Sequence, residues 1–221
     1  MITHPGTQEA LRTHLDWLPE PDQIVLRPRE TEHGLKVLFA DGHVIEFAVF
    51  ELEEIRVARV NDYRVLLEPE GGEISVILRD LEARETPQQF DHGREMALML
   101  SLVLIGSGRV ARGEIISGGR FIKDFALSPY LRMLADDQAA AGVPDNLDPF
   151  RRVESCYPLI APRIHAALLL EPLDAASDLL ELAESTLRDI PQDAFDVVRR
   201  EIERAKNYSE RSLTPQPPLR K

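Results

Sequence analysis

Near residue 90 the spacing of apolar residues changes, and that change limits the fold more than any other feature of the sequence. Up to about residue 80 the chain runs in short β-prone pieces: "QIVLRPRE", "GLKVLFA", "HVIEFAVF", "YRVLLEP" and "ISVILRD". The turn signals "EHG", "DGH" and "EGGE" separate them, as Gly and Asp do where a chain reverses. Asp41-Gly42 is the strongest hairpin cue, because Gly takes the positive φ that a tight turn needs. It predicts that "GLKVLFA" and "HVIEFAVF" pair, with Val44 to Phe50 on an interior strand. From Phe90 onward apolar residues recur at i, i+3 and i+4, one face of an α-helix. The expected fold is therefore α+β: a small, mostly antiparallel sheet over residues 1–88, then an α-helical bundle over 89–205. Residues 206–221 are expected to be a disordered tail, polar and rich in proline.

Within this frame, residues 8 to 18 and 51 to 60 read as short helices flanking the sheet. "DHGREMALMLSLVLI" is nearly continuous in its apolar character, which predicts a helix buried on most sides. "EIISGGRFIKDFALSPYLRML" carries a stripe of Ile115, Phe121, Ile122, Phe125, Leu127, Leu131 and Leu134. "AAAGVPDNLDPF" reads as a loop with a helix start at Asp148-Pro149. Residues 150 to 171, 173 to 190 and "DAFDVVRREIERA" read as further helices.

Charge narrows the partners. The 221 residues carry a formal net charge of −12, which argues against a general grip on nucleic acid, where a basic surface supplies most of the affinity. One cysteine, Cys156, excludes an intramolecular disulfide and reads as an apolar residue. The N-terminal stretch lacks the basic and apolar regions of a signal peptide. "MALMLSLVLIG" is about half the length needed to span a bilayer. The expectation is a cytoplasmic protein with no membrane partner. The six histidines have no HxxxH or HExxH spacing, so zinc is not expected.

"GSGRVARGEIISGGRFIKDF", residues 106 to 125, permits two readings. A phosphate-gripping Gly-Ser loop would need two carboxylates one residue apart on the next strand, so that both face one pair of Mg²⁺ ions. Downstream stands Asp124, and two residues on is Ala126. The other reading makes the segment helical, with Gly106-Ser107 joining two helices, and the apolar spacing favours it.

On that reading, "RVARGEIISGGRFIKDFALSPYLRML" with "NLDPFRRVESCYPLIAPRIHAAL" resembles the C-terminal helical domain of bacterial nucleotidyltransferases of the polymerase-β-like type, related to aminoglycoside and lincosamide adenylyltransferases. "GLKVLFADGHVIEFAVFELEEIRVARVNDYRVLLE" is similar to the later strands of their catalytic domain, and the resemblance extends over about residues 24 to 190. It implies an incomplete nucleotidyltransferase-type mixed sheet followed by a helical bundle, in which a helix, a turn at Arg112-Gly113-Glu114 and a second helix pack over the nucleotide cleft. It also implies a catalytic or metal-binding role for Glu46 of "VIEFAVF", where the family places a carboxylate. Alternation puts Val44, Glu46 and Ala48 on one strand face, so Glu46 is equally readable as a solvent-facing acid. The family's Gly-Ser turn and Asp-x-Asp pair precede this strand. In residues 1 to 23 there are Asp16 and Asp22, but no such turn and no paired acids.

Arg109, Arg112, Arg120 and Lys123 cluster about the turn and could meet nucleotide phosphates. They could equally pair with Glu114 and Asp124 as solvent-facing helix charges. Three functions follow as alternatives. One is a vestigial or regulatory module that binds ATP or another nucleotide without catalysing transfer alone. Another is an active nucleotidyltransferase, using Mg²⁺, whose catalytic segment is supplied from upstream or by a partner. The last is a protein-interaction module that keeps only the fold. A sheet short of its first strands also predicts an open edge and with it a homodimer, the alternative being that residues 1 to 23 fold back over the gap and leave a monomer.

Overall fold

The computed structural model describes residues 1–58, 60, 63–68, 70–84, 90–145 and 147–213. The chain divides into two compact units, Met1–Thr86 and Pro87–Lys221. It is mixed α/β, with small sheets in the first unit and a helical second unit.

The first unit contains β1 (Ile2–Thr3), α1 (Gln8–Thr13), β2 (Ile24–Leu26), β3 (Gly34–Phe39), β4 (Val44–Ala48) and β5 (Phe50–Glu51). A 3₁₀ turn follows at Glu54–Val57, and α2 spans Glu73–Arg84. The Asp41-Gly42 cue is realised. Gly42 adopts φ +88°, its N–H returns to the Phe39 carbonyl at 3.0 Å, and Phe39 N–H closes on His43 at 2.9 Å. β3 and β4 pair antiparallel from Gly34↔Ala48 to Leu38↔Val44. The inward face of this hairpin, Leu35, Val37 and Phe39, packs with Leu15 and Leu18, and Ile24, Ile45 and Phe47 close around it.

Three expectations for this unit are corrected. The sheet order is β2-β3-β4, so Val44–Ala48 forms an edge strand and β3 is the interior one. "ISVILRD" lies in α2, where Ile77 and Leu81 are buried together with Ile55 and Val60. Its β-branched content suggested a strand, but positions 74, 77, 78 and 81 carry the helical period. "YRVLLEP" forms no strand over its described residues 63–68; Leu66 and Leu67 are exposed.

The second unit comprises α3 (His92–Ala111), α4 (Ile115–Arg120), a π-helical turn (Phe121–Ala126), α5 (Leu127–Asp137), α6 (Val153–Cys156), α7 (Ala161–Leu169), α8 (Pro172–Thr186) and α9 (Gln192–Leu213). No strand occurs among its described residues. Asp91 caps α3 by accepting the Arg94 N–H at 2.9 Å, a side-chain acceptor for an otherwise orphan donor. Buried along α3 are Met96, Met99, Leu100, Val103 and Val110, while Leu98 and Ile105 are exposed. The helix is thus buried on one side, contrary to the expectation from its nearly unbroken apolar run. Tyr130, Leu134, Leu180, Phe195 and Ile202 complete the core. The span read as one helix over 150 to 171 is broken into α6 and α7, and Asp148 opens a turn rather than a helix, accepting the Phe150 N–H at 3.0 Å. The helix read over 173 to 190 is α8, and it ends at Thr186. α9 carries the chain in helix to Leu213, so residues 206–213 correct the expected tail. Residues 214–221 lie outside the described ones.

Gly106-Ser107 sits inside α3, neither in a loop nor at a joint. A Cβ added to Gly118 would stand 2.7 Å from the Gly106 carbonyl oxygen and 2.9 Å from the Val110 nitrogen. The glycines let the backbones of α3 and α4 touch, which any side chain would prevent. Ser107 is buried beside this contact.

Candidate functional site

The turn between α3 and α4 is built by its own sequence. Gly113 adopts φ +85°. Its N–H reaches the Val110 carbonyl at 2.8 Å, while Glu114 N–H reaches that of Arg109 at 3.0 Å. This pair of bonds is the Schellman motif, for which Gly is favoured because L-residues resist a positive φ. The Arg112-Gly113-Glu114 turn is therefore rigid, and it points the start of α4 in a defined direction.

Four cations surround the turn. The Arg109 guanidinium lies 4.2 Å from the centroid of the Phe121 ring and donates to the Ser117 hydroxyl. Arg120 lies 4.8 Å from the Phe125 centroid and pairs with Asp124 at 3.4 Å. Phe121 and Phe125 meet edge to face at 5.1 Å. The result is a row, Arg109–Phe121–Phe125–Arg120, in which ring faces hold the guanidinium groups by cation–π attraction. The π-helical turn carries both rings. Arg112 pairs with Glu114 at 3.1 Å. The side chains of Arg112 and Arg120 remain 62% and 67% exposed, so each ion pair is open to exchange with a solvent anion.

Lys123 differs from the other three. Its ammonium donates to the Leu168 carbonyl at 2.9 Å and to that of Leu170, at the C-terminal end of α7. A cation there satisfies orphan carbonyls and complements the helix dipole. The structure thus brings Arg109 and Arg120 into one row and puts Lys123 to use within the fold. Beside the turn, Ile116 is 92% exposed and Ile115 is half-exposed. For Ile115 this departs from the buried stripe expected of it.

Glu46 lies in the first unit, on the exposed face of β4, opposite Lys36 in the register. Lys36 donates to Glu30 at 2.6 Å. That hydrogen bond holds its ammonium above the ordinary lysine range, with a smaller contribution from the charge of Glu46. A lone carboxylate facing an ammonium is a donor set that does not fit Mg²⁺, which takes carboxylate and water oxygens in near-octahedral geometry. Among the described residues no group of three or more His, Cys, Asp or Glu is arranged to hold a metal ion. Glu20, Asp22 and Asp41 line an open cleft beside Gln23 and Phe39, a sign of charge that repels phosphates.

Sequence reasoning missed Arg12. Buried in the first unit, it donates from Nε to the Val49 carbonyl at 3.0 Å, and from Nη2 to Glu54 at 3.0 Å and His33 Nδ1 at 2.9 Å. It joins α1 to the end of the β4 segment across 37 residues of sequence, and no local pattern signals such a bond. Cys156 is buried and free, as an apolar residue would be. No described helix is long and apolar enough to cross a membrane.

No family model, curated protein or solved structure matches the chain.

Proposed function

We propose that the chain is a nucleotidyltransferase-like module that binds a nucleotide such as ATP through the arginine row and the neighbouring Arg112 and does not transfer a nucleotidyl group by itself. The observation that carries this reading is the row Arg109–Phe121–Phe125–Arg120, set in a chain of net charge −12. Residues 109 to 123 hold Arg109, Arg112, Arg120 and Lys123 against one acid, Glu114, a local reversal of the overall sign. Guanidinium groups bind phosphate oxygens in a bidentate fashion. Stacking on the rings reduces the side-chain freedom that binding would otherwise cost. A triphosphate displaces Glu114 and Asp124 from Arg112 and Arg120, exchanging single carboxylates for a more highly charged ligand. The helix–Arg-Gly-Glu–helix arrangement is also the part of the sequence that resembles the family. Without paired carboxylates to clamp a metal, in-line displacement at the α-phosphate lacks its usual stabilisation, and no step is assigned to Glu46.

Calorimetric titration with ATP tests the reading. Binding weaker than micromolar is expected, with no AMP transfer to acceptor or protein when Mg²⁺ is added. Joint Arg112→Ala and Arg120→Ala substitution should weaken it at least about tenfold, the value of one lost charge-assisted hydrogen bond. Binding that survives both substitutions, or transfer that depends on Glu46, would overturn it.

A further inference from the structure

We infer that the outer edge of β4 is the interface of a symmetric dimer, with the β4 strands of two copies pairing antiparallel about a two-fold axis at Ile45. The inference stands apart from nucleotide binding. Its starting point is which backbone groups are already used. Val49 N–H donates to His33 at 3.0 Å and Phe39 N–H to His43 at 2.9 Å, so odd-numbered residues of this segment turn their backbone groups toward β3. In an antiparallel ladder bonded and non-bonded pairs alternate. Val44, Glu46 and Ala48 therefore turn their N–H and C=O outward.

Residues 1–3 take up part of this edge. Met1 donates its ammonium to the Ala48 carbonyl at 2.8 Å and accepts the Phe50 N–H at 2.9 Å. Ile2 and Thr3 then run parallel to Phe50 and Glu51. Among the described residues no strand lies beyond β4 at Val44 and Glu46, and Val44 is 57% exposed. The opposite edge is blunted, since β2 is short, has an irregular register at Leu26 and is followed by Pro28. β4 has neither a proline nor a bulge nor a lysine, three of the devices that protect an edge, and its single charge is Glu46.

A second copy fits this edge in one register. A two-fold axis at Glu46 would set that carboxylate against its own copy, a destabilising like-charge pair. It would also need the Ala48 carbonyl that Met1 occupies. An axis at Val44 would run Glu46 into the hairpin turn, where Gly42 N–H is committed to Phe39. An axis at Ile45 sets Val44 opposite Glu46 of the other copy, where they exchange both backbone hydrogen bonds, and symmetry repeats the exchange. Ile45 then meets its copy at a non-bonded pair, where side chains approach most closely. Each Glu46 keeps Lys36 of its own chain as counter-charge. The contact is self-complementary, as a two-fold interface must be, and it joins two three-stranded sheets into one.

The test is sedimentation equilibrium at micromolar to high-micromolar concentration on the wild type, Val44→Glu and Val44→Lys, with Trp17 emission confirming the fold of each. The wild type should form a species of twice 25.0 kDa. Val44→Glu opposes Glu46 with another carboxylate twice per dimer, and should raise the dissociation constant at least about tenfold. Val44→Lys opposes it with an ammonium, and should weaken the dimer much less than Val44→Glu does. A monomer throughout, a dimer indifferent to Val44→Glu, or equal weakening by both substitutions would overturn the proposal.

Discussion

Adding one methyl group at Gly118 should unpack the crossing of α3 and α4. A Cβ there meets Val110 Cγ2 at 2.5 Å, the Gly106 carbonyl oxygen at 2.7 Å and the Val110 nitrogen at 2.9 Å. Two of these atoms are backbone, so no rotamer change relieves the overlap and the helices must separate. Overpacking of this kind sits at the upper end of its range, about 3 kcal/mol. Ala favours helix over Gly by about 1 kcal/mol, which leaves Gly118→Ala destabilising by about 2 kcal/mol. The matched control is Gly108→Ala, two residues along α3 from the crossing. Its new Cβ would find only the far end of the Arg112 side chain, at 3.6 Å, so the propensity gain should stand alone and stabilise by up to about 1 kcal/mol. Urea unfolding followed by circular dichroism at 222 nm reads both, because the helical unit dominates that signal. With a slope of about 2 kcal/mol per molar, the two midpoints should differ by about 1 M or more, in opposite directions from wild type. A neutral or stabilising Gly118→Ala would refute the close-approach argument, as would a Gly108→Ala loss of the same size.

Two further outcomes follow from the ion pairs. Glu95 is buried and accepts from Arg132 at 2.9 and 2.6 Å and from Arg94 at 3.0 Å. Glu95→Ala should destabilise the helical unit by about 2 kcal/mol, less than a fully buried pair would lose because Arg132 is partly solvated, and Glu95→Gln should lose less, both read from urea midpoints. Glu54 is held below the ordinary glutamate range chiefly by the Glu51 N–H, with Arg12 and His33 adding to it. A depressed folded value means stability that is full above the unfolded value of about 4.3 and is lost as pH falls through the folded one. The urea midpoint of the first unit, read from Trp17 emission, should therefore fall on acidification below about pH 4.3, and Glu54→Gln should flatten that dependence. An unchanged profile in Glu54→Gln would count against the assignment.

What could be read from the sequence was what local interactions decide. The Asp41-Gly42 hairpin depends on glycine at positive φ within four residues and is where the sequence puts it, whereas Gly106-Ser107, which reads as a joint between helices, lies inside α3, and the chain turns at Gly113 instead. The Val and Ile of "ISVILRD" suit a strand, yet the spacing of Ile74, Ile77, Leu78 and Leu81 is helical, and tertiary burial follows the spacing. The exposure of Leu98 and Ile105 was not visible, since an apolar run does not say which of its faces meets a partner. Of the site, the arginines could be named from the sequence, but their stacking on Phe121 and Phe125 depends on a π-helical turn with no sequence signature. Arg12 could not be found at all: its partners Val49, His33 and Glu54 are brought to it only by the fold.

That π-helical turn also bears on how the chain can change length. In an ordinary helix, losing one residue rotates everything beyond it by about 100°, and every later side chain leaves its slot. A π turn already holds a surplus residue within its coil. Loss of one residue between Phe121 and Ala126 can let the coil tighten to the ordinary helix while Gly118 stays against Gly106 and Tyr130 stays in the core. The same loss within Leu127–Asp137 has no such slack to draw on. Length variation in this long helical stretch is therefore confined to the turn that carries the two phenylalanine rings, so a shortened chain would keep its bundle while losing the aromatic platform beneath its arginines.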